Sequence, residues 1–160
     1  MLIWFAVLSV LLVAIVFKSP GIDYRTVIVG AVLPVGEGLT GGPKVLHSVV
    51  GAVAVLAIAM LATRRRRLVR RRLLGIPIGM MAHLVLDASW SDQSVFWWPF
   101  GGWGFPDVSA PVVHRGIWSL LLELVGCMVA LWLWGEFGLD DPERRLSALA
   151  APDDAVDALF

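Results

Sequence analysis

The sequence predicts an all-α membrane protein, a polytopic helix bundle with about four long spans and one short or re-entrant segment. Hydrophobic residues make up 58% of the 160 residues and charged residues only 16%. A soluble domain averages about 45–50% apolar and about 25% charged residues. The apolar residues are also gathered in long runs, which is typical of helices that cross a bilayer. Residues 1–135 are therefore predicted to form a transmembrane domain and residues 136–160 a cytoplasmic tail.

Five apolar runs carry this prediction. They cover residues 2–17, 24–39, 45–62, 73–90 and 113–134. The first run lacks a basic segment before it and a small-residue cleavage site after it, so we interpret it as a retained helix rather than a signal peptide. The second run reaches only about 24 Å as a helix, and Pro34 predicts a break or a re-entrant turn within it.

An arginine-rich loop predicts the orientation of the chain. Seven arginines lie between Arg64 and Arg72, in the short loop that joins the third and fourth runs. Short loops rich in Lys and Arg stay in the cytoplasm. Lys18 and Arg25 favour a cytoplasmic loop between the first two runs as well, which gives five crossings with the N-terminus outside. A re-entrant second run would instead keep the N-terminus inside.

The charge balance excludes a nucleic-acid-binding protein. The net charge is +0 at pH 7, so no basic field extends over the whole chain. The arginine loop is expected to lie at the membrane surface, where anionic lipid neutralises it. Membrane lipid is the expected partner, and a protein partner or a second copy of the chain is also compatible with the sequence. The single Cys127 excludes an intrachain disulfide.

Ionisable side chains lie inside the apolar runs, at what this topology makes the outer end. His83 and Asp87 are four residues apart and share one face of a helix. His47 and His114 open the third and fifth runs on the same side, and Glu37 ends the second. Because ionisable residues within a membrane span are costly, they mark a functional site by default. A neutral His83 that bonds Asp87 and serves only helix packing is the alternative.

Imidazole and carboxylate groups at one depth predict a divalent metal site, with Zn, Mn or Mg as the candidate ions. The expected ligands are His47, His83, Asp87 and His114. The expected catalytic groups are Glu37, His83 and Asp87. Ser48 is expected to cap its helix beside the ligands, and Glu123 to support the site from behind the ligands or to serve helix packing.

The aromatic segment "SVFWWPFGGWGFPD", residues 94–107, has two interpretations. Aromatic residues concentrate at membrane interfaces, so the segment is typical of an interfacial belt. It is alternatively a lid, hinged at its three glycines, that admits an acyl or prenyl chain to the site. Gly75 and Gly79 have the small-xxx-small spacing that allows two helices to approach closely.

The segments "LPVGEG", "KVLHSVV" and "GMMAHLVLDASW…FWWPF" resemble the bacterial inner-membrane family described as predicted membrane-bound metal-dependent hydrolases. The resemblance covers about residues 24–105. Its most specific part is that family's "HLxLD…WP" segment, which is intact here at His83, Asp87, Trp98 and Pro99. It implies a multi-helix membrane fold, a divalent metal and hydrolytic chemistry.

The other two segments of that family are only partly matched. The two acids of "LPDxD" correspond to Val35 and Glu37. The first histidine and the arginine of "HRGxTHS" correspond to Gly42 and Pro43, whereas its last two residues match at His47 and the serine that follows. His114 is the residue that topology offers in place of a missing ligand.

The predicted function is a metal-dependent hydrolase of the cell inner membrane, multi-pass, with its C-terminus in the cytoplasm. It would act at the extracytoplasmic face on a lipid-linked phosphoester or pyrophosphate. One alternative is a catalytically degenerate scaffold or partner subunit, and another is a small transporter that uses Glu123 and the histidines. Metal content distinguishes the first two, and coupled ion flux identifies the third.

Overall fold

The computed structural model describes residues 1–18, 22–38, 45–104, 116–136 and 140–141. These residues form helices and turns without a strand, which confirms the all-α class. The helices are α1 (Leu2–Phe17), α2 (Tyr24–Gly38), α3 (Val49–Ala62), α4 (Arg67–Leu73), α5 (Gly75–Leu86), α6 (Gln93–Phe96) and α7 (Ile117–Glu136). Short 3-10 turns, Val45–His47 and Ser89–Ser91, precede α3 and follow α5.

α1 has the bounds of the apolar run that predicts it, whereas α3 and α5 are shorter than theirs. α3 has 14 residues and α5 has 12. α3 begins late because Ser48 caps it, with its Oγ accepting from the amide of Gly51 at 2.9 Å. α5 ends at Leu86 because Ala88 turns the chain with a φ of 56°. Among the described residues only α7, with 20 residues, is long and apolar enough by itself to cross a membrane, so the prediction of about four long spans stays a prediction.

α2 is a short continuous helix. It runs through Pro34 to Gly38, so the expected break or re-entrant turn at the proline is wrong. Proline removes one backbone donor from a helix and usually bends or breaks it. Here Pro34 is fully buried, and α2 is held along its length by α5, which compensates for the lost hydrogen bond.

α2 and α5 run parallel. Their backbones are in contact, which is the close approach that the spacing of Gly75 and Gly79 predicts. A Cβ on Gly75 would overlap Thr26 Oγ1, and a Cβ on Gly79 would overlap the carbonyl oxygen of Val27. The next contact is a hydrogen bond from His83 to the carbonyl of Ala31. Each step advances in the same direction along both helices, which establishes the parallel arrangement.

Two opposite ends of the bundle carry different chemistry. α2 and α5 finish where α1 and α3 begin, since the ring of His83 lies 4.0 Å from that of Phe5 and 5.3 Å from that of His47. We call this the histidine end. α3 ends about 21 Å away, at the arginine run. This second end, here the arginine end, also holds the start of α2, because Thr26 Oγ1 donates to the carbonyl of Arg72 at 2.7 Å.

Candidate metal centre

Three potential metal ligands meet at the histidine end. One ligand atom from each of His47, His83 and Asp87 lies within 4.8 Å of the other two. The three residues are only 5%, 1% and 2% exposed. The expected convergence of these residues is therefore confirmed, and it occurs in a place that bulk water does not reach.

Local structure fixes the positions of all three residues. His83 lies in the last turn of α5, and Asp87 caps that helix, with its amide bonded to the carbonyl of His83 at 2.8 Å. His47 ends the 3-10 turn before α3. The next residue, Ser48, donates through its hydroxyl to the carbonyl of Val45 at 2.7 Å, so it closes the turn that carries His47. Ser48 thus has the capping role expected of it.

The hydrogen bond of His83 determines its tautomer. Its Nδ1 lies 2.7 Å from the carbonyl oxygen of Ala31. A carbonyl can only accept a hydrogen bond, so Nδ1 carries the proton and donates. The lone pair of the neutral ring is therefore on Nε2. Metal-binding histidines typically donate their other ring N–H in this way, to a backbone carbonyl or a carboxylate.

Glu37 holds His47 in the same manner. The Oε2 atom of Glu37 lies 3.0 Å from Nδ1 of His47. Its other oxygen, Oε1, accepts from the amide of Leu46 at 2.8 Å. Glu37 therefore fixes both the imidazole and the backbone of the turn that carries it. The structure places Glu37 against His47, where it positions this candidate ligand; the catalytic role that the sequence suggests for Glu37 stays a prediction.

Sequence reasoning missed three groups around the cluster. Phe5 of α1 is fully buried and its ring packs on that of His83. The carbonyl of Ala31 orients the same histidine, and Ser89 donates to Asp87 Oδ2 at 3.3 Å. Ser89 is close to Asp87 in the chain and could have been considered. Nothing in the sequence distinguishes Phe5 from the other apolar residues of its run, and a backbone carbonyl leaves no sequence signal.

Glu123 caps a different helix. Its two carboxylate oxygens accept from the amides of Ile3 at 3.1 Å and of Trp4 at 3.3 Å. The ammonium group of Met1 lies 3.7 Å away. These amides belong to the first turn of α1, which has no intrahelical acceptors for them. A carboxylate within an apolar run needs a polar partner, and for Glu123 this partner is the start of α1. Glu123 therefore has the helix-packing role that the sequence offered as one alternative.

Three other expectations fall partly or wholly outside the described residues. His114 lies outside them, and so does most of the tail from residue 136. The aromatic segment is described as far as Gly104. There Phe96 packs against the core residues of α3 and α5 near the histidine end, whereas Trp103 is 82% exposed.

The cluster fits a divalent metal in its chemistry. Two imidazoles and one carboxylate form the ligand set of open zinc sites in hydrolases and of non-haem iron(II) sites. Zinc bonds of about 2.0–2.2 Å place tetrahedral ligands roughly 3.4 Å apart. The observed limit of 4.8 Å thus requires side-chain movements of about 1 Å. Mg²⁺ prefers oxygen ligands, so Zn²⁺ fits better.

Comparison of the chain with protein-family models, with curated proteins and with solved structures finds no match. The resemblance to the metal-dependent hydrolase family therefore stays a prediction.

Proposed function

We propose that this chain is a multi-pass inner-membrane hydrolase that binds a catalytic divalent metal through His47, His83 and Asp87 at the extracytoplasmic face. The observation that carries the proposal is the buried group of three ligands, in which both imidazoles are held through Nδ1. A group that served packing alone would not need two buried histidines that are each oriented through Nδ1 by a fixed acceptor.

The surface of the helices supports a membrane location. Only 11% of the apolar stretch of α7 is buried, whereas the core helix of a soluble protein is mostly buried. Large apolar side chains are exposed on other helices too, with Leu61 at 72% and Ile58 at 65%. Apolar patches this extensive would cause aggregation in water, but they match the hydrocarbon of a bilayer. Short spans such as α3 are accommodated by local thinning of the bilayer.

The two ends of the bundle support the orientation. The arginine end would face the cytoplasm by the positive-inside rule. The histidine end lies opposite, because α3 leads from one end to the other. The metal centre would therefore lie near the outer face.

Each residue of the cluster has a role in this chemistry. A divalent metal bound there would activate water and polarise the scissile bond. His47 and His83 would bind the metal through Nε2, because Nδ1 of each is engaged, and Asp87 would supply negative charge that offsets part of the metal's own. Glu37 keeps His47 in the required tautomer. Burial excludes bulk water, which strengthens every electrostatic interaction in the site.

Metal content tests this proposal directly. Protein purified in detergent and loaded with Zn²⁺ is expected to hold about one ion per chain, and His83→Ala is expected to hold almost none, because a site of three ligands loses one. Thr63→Ala is the matched control, since Thr63 is a buried polar residue at the arginine end. Elemental analysis after gel filtration measures the ratio. Wild-type protein without metal, or full retention in His83→Ala, would show that the cluster serves packing, as in a scaffold without catalysis.

The orientation has its own test. Single cysteines are introduced at Arg66 and at Gln93 in a Cys127→Ser background. A membrane-impermeant maleimide added to intact cells is expected to label position 93 and to leave position 66 unlabelled until the membrane is opened. Both residues are exposed in the structure, so access depends on the side of the membrane. Labelling of both positions in intact cells would overturn the topology.

A further inference from the structure

An apolar groove lies between α1 and α3, and α5 forms its floor. Its volume is about 420 Å³. All the described residues that line it are apolar, and they include Leu12, Val16, Val53, Leu56, Met81 and Val85. The side chains of Val16 and Val53 are also exposed, so the groove opens to the surroundings of the bundle.

The groove begins beside the metal centre. Ala82 and Val85 line the groove on α5, and they alternate along the last turns of that helix with His83 and Asp87. On α3, Ala52 lines it one turn after the cap that follows the third ligand. None of the three ligands lines the groove itself; measured along the axes of α3 and α5, the groove lies within about one helical turn, or about 5 Å, of the residues that carry them.

α1 connects the two places along one face. Phe5, Ser9 and Val13 follow each other at intervals of four residues and are all buried. Phe5 packs on His83, and Val13 lines the groove. Ser9, between them, is fully buried, and its hydroxyl finds no hydrogen-bond partner among the described residues. An unsatisfied buried hydroxyl costs free energy, so Ser9 is an unexplained polar group on the face that joins the two places.

The dimensions of the groove decide what it can hold. From Pro77 to Val85 its floor is about 12 Å long, so its mean cross-section is about 35 Å². A helix about 10 Å in diameter needs roughly 80 Å² and does not fit. At about 30 Å³ for a water-sized group, the volume holds about 14 methylene groups, which corresponds to a single hydrocarbon chain.

We propose that the groove holds the hydrocarbon chain of a lipid phosphoester whose head group lies at the metal centre. This assignment rests on the proposed function and names its substrate class. Hydrolysis would break one P–O bond: water supplies the hydroxyl that phosphorus gains and the proton that the leaving oxygen takes up. Lipid tails are as apolar as the groove, so transfer of the chain from the bilayer to the groove adds little binding affinity. The effect of the groove is to fix where the chain lies. It holds the ester next to the ligands, and that placement lowers the barrier to reaction.

Photo-labelling tests the groove without relying on turnover. The probe is an alkyl phosphate with a 14-carbon chain and a diazirine at the chain end, in phosphatidylcholine vesicles that contain the full chain. Wild-type protein is expected to be labelled on the α1 peptide that contains Val16. Val53→Trp and Met81→Trp, which fill the groove, are expected to lose this label about tenfold. Ile58→Trp is the matched control, because Ile58 is exposed on α3 but does not line the groove.

The outcomes separate the groove from the metal centre. Metal content, measured in every variant, shows that the protein has folded. Equal labelling of wild type, Val53→Trp and Met81→Trp overturns the groove assignment, even if metal and hydrolysis of the soluble ester p-nitrophenyl phosphate are intact. Groove labelling that survives in wild-type protein without metal or hydrolysis overturns the proposed function and the substrate assignment together, and leaves only a lipid-binding groove.

Discussion

Replacing Asp87 with asparagine is expected to abolish tight metal binding while the fold is retained. Asparagine has nearly the same shape and still accepts the hydrogen bond that Ser89 donates, so packing is preserved. It removes the only carboxylate among the three ligands and with it the charge that offsets the metal. Loss of a residue that merely positions a ligand costs about 10–100-fold in metal affinity. Loss of the ligand itself should exceed this range, and hydrolysis should fall by about 1,000-fold.

The matched control for this change is Asp92→Asn. Asp92 also lies at a helix boundary, where it caps α6 by accepting from the amide of Ser94. Asparagine is as good an N-cap as aspartate, so metal affinity should be unchanged in this variant. Zinc titration with a competing chelator measures both. An Asp87→Asn protein that binds zinc as tightly as wild type would remove Asp87 from the ligand set.

Replacing Gly79 with alanine should destabilise the protein by about 3 kcal/mol, at the upper end of the usual cost of overpacking. The added Cβ would lie 2.8 Å from the amide nitrogen of Ala31 and would overlap the carbonyl of Val27. Both neighbours are backbone atoms, so α2 as a whole must move. That movement draws the carbonyl of Ala31 away from His83, and zinc affinity should fall together with stability.

Gly36→Ala provides the control for the glycine change. Gly36 belongs to the same helix as the displaced backbone, and a Cβ there meets nothing within 4 Å. Alanine favours a helix over glycine by up to about 1 kcal/mol, so this variant should be as stable as wild type or more so. Thermal unfolding in detergent compares the two. A Gly79→Ala protein with an unchanged midpoint would mean that α2 and α5 are farther apart than the structure has them.

The part of the site that lies within one helix could be predicted from the sequence. The spacing of His83 and Asp87 places them on one face, and that face is where the structure has them. The approach of His47 depends on how three helices pack, but it followed from the positive-inside rule, which placed its helix start at the same end. Glu37 was also expected there. Its role as the partner of His47 was not, because both of its oxygens are engaged only once the turn before α3 has formed.

Helix ends could not be read from hydropathy. The apolar runs continue through Ser48 and Ala88. In the structure, α3 begins only after Ser48 because its side chain caps the helix, and α5 ends before Ala88 because this residue is left-handed. At Pro34 the sequence predicted a break that does not occur, since tertiary packing keeps α2 helical through this residue. Glu123 was recognised as a carboxylate in need of a partner. Its partners are backbone amides at the other end of the chain, and no sequence pattern links a side chain to amides so far away.

The bond between Glu123 and the amides of Ile3 and Trp4 has a consequence for the order of assembly. During synthesis the ribosome releases α1 before α7. Until α7 has formed, the amides of Ile3 and Trp4 lack the acceptor that Glu123 provides, and Glu123 lacks these two donors. The same turn positions Phe5 against His83. The cluster of His47, His83 and Asp87 therefore gains its contact with Phe5 in final form only when α7 has docked on α1, and a nascent chain that stalls before α7 leaves this contact unfinished.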